Sequence, residues 1–336
     1  MHSSEENPRG DRPPNDSDVR SALVSPPRHQ VTKPKPKMKY YEYIQQILRI
    51  DNDLARALLA EFLGTFIFVC FVDGAVAQAT MARTLPQAEV QVAWGVGCAV
   101  GFGVYISFGV SGGHTNPSIT FAVATAGHCP WYKVFPYMVA QCAGGLLGGF
   151  VVYALYAAAI WEFSGDSDVY VLGVNATAHI FATFPKPHCN LAAGFFEQVI
   201  NTGLVLAICM SILDQRNAKV PSGLTPFLFG HSVFAVILCF NYNTGAALNP
   251  ARDFTGRIVL SAIGYDSSAW TANRSYHWWW VGALGPTVGA TVGVWLYFLF
   301  VGWQHPPLPK EDEVEVKSQP LESYRTQDPE IEVNRL

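Results

Sequence analysis

Two short motifs in this sequence share an asparagine followed by a proline, and each opens a short apolar stretch. The motifs are Asn116-Pro117-Ser118 and Asn249-Pro250-Ala251. Proline suits the first turn of a helix, because the N–H that it lacks would have no partner there. A helix that begins at such a motif presents free N–H groups and the positive end of its dipole. The motifs therefore predict two helix ends, each with an asparagine amide, that donate hydrogen bonds to oxygen atoms and oppose cations.

A run of small residues precedes each motif. The runs are Gly112-Gly113-His114-Thr115 and Thr244-Gly245-Ala246-Ala247. Their carbonyl groups cannot join a helix, so they are left as hydrogen-bond acceptors along one wall. A ladder of acceptors that faces an apolar wall suits a linear, uncharged molecule that carries hydroxyl groups.

The composition places these motifs in a membrane. Half of the 336 residues are hydrophobic and 14% are charged, against roughly 25% in soluble domains. Of the 48 charged residues, 8 basic and 10 acidic ones fall within residues 57–302. A soluble globule would expose large apolar patches over such a stretch. We therefore expect an integral membrane protein.

The same composition argues against several other classes of protein. The sequence lacks the basic stripe that nucleic-acid binding requires, and its seven cysteines lack metal-ligand spacing. It also carries no residue constellation typical of a hydrolase or an oxidoreductase. We expect no enzyme activity, no cofactor, no metal and no nucleic-acid partner.

Helix length sets the number of membrane crossings. A spanning helix needs about 20 mostly apolar residues, and six stretches qualify: 55–79, 91–110, 132–160, 191–213, 223–241 and 277–303. The stretches behind the two motifs, 116–126 and 249–261, are too short to cross. Irregular backbone at membrane depth is tolerated where it is buried in protein or lines an aqueous cavity. The predicted fold class is an all-α membrane protein with six transmembrane helices and two re-entrant half-helices.

The two halves of the chain repeat. Glu61 precedes Asn116 by 55 residues, and Glu197 precedes Asn249 by 52. Each unit holds three spans, an odd number, so the second copy is inverted across the membrane. Inverted repeats with broken helices place a solute site near the middle of the bilayer.

Six spans put both termini on the same side of the membrane. That side carries the lysines of 33–39 and most of the basic residues near the spans, so the positive-inside rule predicts cytoplasmic termini. We expect a plasma-membrane protein, with the lysines attracting anionic lipid. The sequons at Asn175 and Asn273 then lie outside, where glycosylation can occur.

Three regions follow along the chain. Residues 1–53 are predicted to form a largely disordered cytoplasmic tail, with an interfacial helix near 40–50. Residues 54–303 form the six-helix channel domain, and 304–336 form an acidic cytoplasmic tail.

Arg252 directly follows the second motif. An unpaired arginine at membrane depth is costly and usually marks a pathway. A snorkelling or salt-bridged arginine is the alternative, but the Asn-Pro-Ala before it favours the pathway. Asp253 and Arg257 lie one and five residues further on, and their plain interpretation is a surface ion pair.

Taken together, these features resemble the major intrinsic protein (aquaporin) family. Within it, GVSGGHTNPSITFA and TGAALNPARDFTGR resemble the aquaglyceroporin branch. The resemblance implies a homotetramer with one pore per subunit, open to glycerol, urea and water and closed to ions and protons. Aquaporin-type selectivity comes from pore diameter, lining groups and electrostatic barriers.

The resemblance also assigns roles to single residues. Arg252 would stand at the outer constriction, with Asp253 and Arg257 shaping the loop behind it. Glu61 and Glu197 would accept hydrogen bonds from backbone N–H groups of the two loops, and His114 would hydrogen-bond its loop. Two further residues complete the assignment: Tyr156, which matches an aromatic late in the third span, and Ser118, which replaces the usual alanine and should have a small effect.

The other constriction positions follow by counting from the motifs. They are Val96, 20 residues before Asn116, and Ile237 and Ala246, 12 and 3 residues before Asn249. Glycerol channels typically have aromatic residues at the first and third positions and glycine at the second. Water-selective channels typically have Phe and His at the first two. This sequence has neither set, which predicts an apolar, fairly wide and permissive pore.

Three alternatives stay open. A water-selective aquaporin is the nearest. A coupled secondary transporter shares inverted repeats and broken helices, but no mid-membrane carboxylate cluster accompanies them here. A structural or adhesion protein that has lost conduction is disfavoured by the intact Arg252 and the two Asn-Pro motifs.

Overall fold

The computed structural model describes residues 39–82, 88–165, 171, 173–271 and 277–307. These residues form nine α-helices, with short 3-10 turns and one isolated bridge, Thr271–His277, between them. The helices are α1 Tyr40–Leu48, α2 Asp53–Met81, α3 Ala88–Ser111, α4 Pro117–Thr125, α5 Trp131–Ser164, α6 Leu191–Leu213, α7 Thr225–Phe240, α8 Pro250–Ala262 and α9 Trp279–Phe300. The predicted all-α fold class is confirmed.

Helix α1 stands where the sequence predicts an interfacial helix. It has no buried residue, and Tyr40, Ile47 and Leu48 expose most of their side chains. Its place at a membrane surface stays a prediction. The lysines at 33–37 and the tail beyond 307 lie outside the described residues.

Five helices are long and apolar enough to cross a membrane: α2, α3, α5, α6 and α9. The stretch predicted as the fifth span, 223–241, is helical but shorter than the others, because α7 has 16 residues. Its start is set by Pro226 in the first turn, and Asn241 caps its end. This helix is shorter than the roughly 20 residues of a typical span.

Helices α4 and α8 are the two predicted half-helices. Each starts at a proline of an Asn-Pro motif, and the asparagine before it is the N-cap. The Asn116 side-chain oxygen accepts from the N–H of Ser118, and that of Asn249 accepts from the N–H of Ala251, both at 2.9 Å. An N-cap of this kind satisfies one of the donors that a helix start leaves open.

The packing reproduces the internal repeat. In the first half α2 packs on α3 and α5, and in the second half α6 packs on α7 and α9. Each half-helix packs on the last long helix of the other half, α4 on α9 and α8 on α5. The half-helices are thereby inserted between the two repeats.

Small residues set the distance between these helices. A Cβ atom built on Gly293 would lie 2.2 Å from the carbonyl oxygen of Gly203, and one on Gly145 would lie 2.3 Å from that of Ala251. No side chain fits at such distances. Small residues at these positions therefore allow the helices to pack closely.

Candidate functional site

The two half-helices meet at their N-terminal ends. Asn116 Nδ2 donates to the carbonyl of Leu248, and Asn249 Nδ2 donates to the carbonyl of Thr115, both at 2.9 Å. The two acceptors are equivalent, since each directly precedes the asparagine of its own motif. An amide nitrogen carries two hydrogens, so each asparagine keeps a second N–H for another acceptor.

The residues that accept these bonds have an unusual backbone. Thr115 and Leu248 have φ angles of 46° and 51°, in the left-handed region that residues with a large side chain rarely adopt. Strained backbone persists where the surrounding contacts hold it, and it concentrates at functional sites. Here the amides of Asn116 and Asn249 supply that contact from the opposite half.

Glu61 supports the first loop from behind. Its carboxylate accepts from the backbone N–H of His114 at 3.0 Å and of Thr115 at 2.7 Å, as the sequence predicts. Gln141 Nε2 also donates to it at 2.7 Å and bonds the hydroxyl of Thr120 in α4. A fully buried carboxylate is tolerated when donors surround it in this way.

For Glu197 the corresponding prediction was wrong. Among the described residues, its carboxylate accepts from the hydroxyl of Thr244 at 2.8 Å and from no backbone N–H. The next residue, Gln198, takes the backbone contact, since its Oε1 accepts from the N–H of Leu248 at 3.4 Å. The second loop has a threonine hydroxyl that reaches α6 and bonds one oxygen of the acid, while Glu197 Oε2 is buried with no hydrogen-bond partner among the described residues.

Two cavities adjoin the junction of the half-helices. The small cavity, of about 90 Å³, lies on one side, and the large cavity, of about 600 Å³, on the other. They share six lining residues: Val100, Thr115, Ile119, Val205, Leu206 and Val233. The two cavities therefore adjoin each other beside the two Asn-Pro motifs, and together they are called the path below.

The loops line this path with polar backbone. Large-cavity lining includes Gly112, Gly113, His114 and Thr115, and small-cavity lining includes Gly245, Ala246 and Ala247. Thr244 departs from the prediction, because it is fully buried and its hydroxyl bonds α6.

The ring of His114 is fixed at the large cavity. Its Nδ1 lies 3.1 Å from the hydroxyl of Thr120, in the first turn of α4. Tyr137 packs edge-on against it, with ring centroids 5.4 Å apart. The predicted bond within the loop is therefore a bond to the half-helix that the loop precedes.

All four predicted constriction residues line the small cavity. Val96 comes from α3, Ile237 from α7, Ala246 from the second loop and Arg252 from α8. The rest of the lining is largely apolar, and α2 contributes Phe68, which the sequence analysis did not single out. The four residues assigned to the constriction therefore lie around one cavity, and their role as a constriction stays a prediction.

Arg252 is not the unpaired arginine that the sequence predicts. Its Nε donates to Asp73 Oδ1 at 3.0 Å. Its Nη2 donates to the carbonyls of Ile180 at 2.8 Å and His179 at 3.4 Å. The residue is 5% exposed and still borders the small cavity. Burying the charge at this depth is possible because a carboxylate 179 positions earlier compensates it.

Asp253 and Arg257 form a fully buried ion pair, so the interpretation as a surface pair was wrong. Arg257 Nε and Nη2 each lie 3.1 Å from Asp253 Oδ2. Asp253 Oδ1 accepts from the N–H and the hydroxyl of Thr183 at 2.7 and 2.6 Å. Arg257 in turn donates to the Thr183 carbonyl at 2.6 Å. The pair holds the loop whose carbonyls bind Arg252.

Two glycines let this loop and α9 approach the pair. A Cβ on Gly256 would lie 1.8 Å from the carbonyl oxygen of Phe181, and one on Gly282 would lie 2.3 Å from Asp253 Oδ2. Glycine at 282 thus leaves room for the buried carboxylate.

The remaining predicted residues lie away from the motifs. Tyr156 on α5 donates from its hydroxyl to Gln78 Oε1 on α2 at 2.9 Å. Asn175 is half-buried and lies just before the turn Ala178–Ile180. Asn273 lies outside the described residues.

Ser118 gives a first testable prediction. Its hydroxyl lies 2.9 Å from that of Thr287 on α9, while the capping of α4 uses its backbone. Ser118→Ala is therefore expected to lower the free energy of unfolding by about 1 kcal/mol and to leave solute flux within about twofold. Thermal unfolding in detergent and flux into proteoliposomes measure the two effects. Thr287→Val should have the same two effects as Ser118→Ala. A large loss of flux in either variant would contradict a purely structural role for the bond between the two hydroxyls.

Sequence reasoning missed most of the supporting residues. Gln141, Thr183 and Gln198 look like ordinary polar residues in the sequence, and no motif marks them. Asp73 did carry a signal, because a second acid within a spanning helix requires a partner.

Comparisons with known proteins agree with this geometry. A profile of the family "Major intrinsic protein" matches residues 49–297. The chain is 35% identical to aquaporin-9 of Mus musculus over 290 residues, which cover 86% of this chain and 96% of that protein. It is 38% identical to aquaporin-10 of Homo sapiens over 269 residues, covering 80% and 88% of the two chains.

A solved structure shows the same fold. It is the X-ray structure of the aquaglyceroporin from Plasmodium falciparum, with a TM-score of 0.65 and 27% identity. The match covers 74% of this chain and 96% of that one. The crossed Asn-Pro half-helices, the shared fold and the family match over most of the sequence lead to one conclusion: this chain is an integral membrane protein that belongs to the major intrinsic protein family.

Proposed function

We propose that this protein is a passive channel for glycerol and other small uncharged solutes, among them urea and some water, and that it excludes ions and protons. The observation that carries the proposal is the path past the two Asn-Pro motifs, with Arg252 at the small cavity. The names of the relatives support it, since the similar solved structure is an aquaglyceroporin.

The lining of the small cavity suits a polyol. Its polar lining residues are Asn116, Asn249 and Arg252, together with residues of the two loops. Most of its other lining residues are aliphatic, and Phe68 joins them. A linear solute with hydroxyl groups along one edge and C–H groups along the other can satisfy both kinds of lining while it moves. A few polar groups on an otherwise apolar wall are typical of sites that orient a small molecule.

The half-helices account for ion exclusion. The N-terminal ends of α4 and α8 meet at the junction, so two positive dipole ends act on the same point of the path. Dipole ends of half-helices are a known barrier to cations and protons in pores of this kind.

The surroundings of the pore belong to the same proposal. We place both termini in the cytoplasm, the protein in the plasma membrane and four copies in a homotetramer. Residues 54–303 are then the channel domain between two cytoplasmic tails, with α1 at the lipid surface. The sequons at Asn175 and Asn273 then fall on the outer side of the membrane, where they can carry glycans.

Solute flux tests the proposed function. Stopped-flow light scattering on proteoliposomes should show rapid, non-saturating entry of glycerol and urea compared with protein-free liposomes. The increase in water permeability over the same liposomes should be smaller. The entry should not respond to a sodium or proton gradient, which separates a channel from a coupled transporter. Fast water flux with no glycerol flux would overturn the proposal in favour of a water-selective aquaporin.

A further inference from the structure

Asp73 is a buried acid in a spanning helix, and the proposed function gives it no role. It lies on α2 and is 1% exposed. Its Oδ1 accepts from Arg252 Nε at 3.0 Å, while its Oδ2 is buried with no hydrogen-bond partner among the described residues. A carboxylate at membrane depth is expensive and normally marks a function.

The hydrogen bonds of Arg252 show which part of its side chain can meet a solute. A guanidinium carries five N–H groups. Nε is occupied by Asp73, and Nη2 is occupied by the carbonyls of His179 and Ile180. Within the described part of the chain, Nη1 has no hydrogen-bond partner. Nη1 is therefore the part of Arg252 that is left to donate into the small cavity.

The charges around Arg252 sum to zero only when Asp73 is included. Asp253 and Arg257 already compensate each other as a closed pair. Without Asp73, the small cavity would be bordered by one uncompensated positive charge. Fixed charges of one sign in a pore select ions of the other sign, so an isolated arginine would favour anions and an isolated aspartate would favour cations.

Provided that the protein is the channel proposed above, we propose that Asp73 is a positioning residue that determines the specificity for neutral solutes over ions. Its carboxylate cancels the charge of Arg252 and turns the guanidinium so that Nη1 faces the path. The constriction then offers hydrogen-bond donors without a net charge. It accepts neutral solutes and is unattractive to ions of both signs.

Opposite single variants test this pairing. Asp73→Asn keeps an oxygen for Arg252 Nε but removes the negative charge, and Arg252→Gln removes the positive charge. Reversal potentials in planar bilayers under a KCl gradient report the sign of any leak. Asp73→Asn is expected to raise anion conductance at least about tenfold, and Arg252→Gln to raise cation conductance. The double variant should return close to the wild-type leak.

The sign of the leak separates charge compensation from a structural role. A variant that merely loosens the fold would leak without a preferred sign, and the double variant would leak more than either single one. Those results, or an Asp73→Asn channel as tight as wild type, would overturn the proposal. Glu162→Gln is the matched control, because it removes an exposed acid from the end of α5, and it should not change the leak.

The assay also distinguishes this proposal from the channel proposal. Glycerol and water flux through the wild-type protein test the proposed function, and reversal potentials of the variants test the pairing. Glu162→Gln should keep its glycerol flux at the wild-type level, since Glu162 is not among the lining residues of either cavity. Suppose that the wild-type protein conducts water without glycerol while the two single variants leak ions of opposite sign. This result would overturn the glycerol channel and would still support the role of Asp73.

Discussion

Ala246→Phe is expected to reduce glycerol flux at least about tenfold and water flux less, because the substitution narrows the pore. Ala246 lines the small cavity, whose volume is about 90 Å³. A phenyl ring on this loop would occupy most of that space, opposite Val96 and Ile237. Water, which is smaller, passes a narrowed pore more readily than a three-carbon polyol does. Stopped-flow light scattering with both solutes measures the ratio.

A phenylalanine placed on an exposed helix surface is the control for this substitution. Val139 on α5 is 52% exposed and is not among the lining residues of either cavity. Val139→Phe should therefore leave both fluxes unchanged. Unchanged glycerol flux in Ala246→Phe, at equal protein content, would show that Ala246 is not at the constriction and would remove the basis for a permissive filter.

Asp253→Ala is expected to have the largest effect on folding. It leaves Arg257 fully buried without its counter-charge, which costs about 3–5 kcal/mol. It also removes Asp253 Oδ1, the oxygen that accepts both hydrogen bonds from Thr183, so the loop carbonyls at 179 and 180 lose their place beside Arg252. We expect a protein that unfolds at a much lower temperature in detergent and conducts little solute. Thermal unfolding followed by size-exclusion chromatography measures the first effect, and flux measures the second.

An exposed ion pair provides the matched control. Asp53 pairs with Arg56 near the start of α2, and the Asp53 side chain is 85% exposed. Exposed pairs contribute little to stability, so Asp53→Ala should unfold close to wild type. Equal destabilisation by the two substitutions would mean that the Asp253–Arg257 pair is not a buried support of the loop.

The helices of this protein could largely be predicted from the sequence. The half-helices start at Pro117 and Pro250, because proline and its preceding asparagine determine a helix start locally. The span 191–213 coincides with α6. The span predicted at 223–241 differs from α7 by two residues at its start and one at its end. Apolar composition indicates which residues avoid water, but it does not indicate where the backbone hydrogen bonds of a helix end.

The candidate site was predictable to the extent that its residues lie within the motifs. Asn116, Asn249 and Arg252 were found because each has a fixed distance from a proline in the chain. Their partners could not be found in this way. Asp73 lies 179 positions before Arg252, and Leu248 lies 132 positions after Asn116. Nothing local in the sequence indicates which of many polar residues comes within 3 Å of another.

The sequence by itself determined the membrane location, the repeat and the two helix starts, because apolar length, internal similarity and capping are local properties. Only the tertiary structure decided how the buried charges are paired. A carboxylate in a spanning helix must find a donor, and the packing of the helices selects which one. Glu61 reaches backbone N–H groups while Glu197 reaches a threonine hydroxyl. Asp73 meets Arg252 because α2 and the start of α8 both border the small cavity. That contact exists only once both halves have folded together.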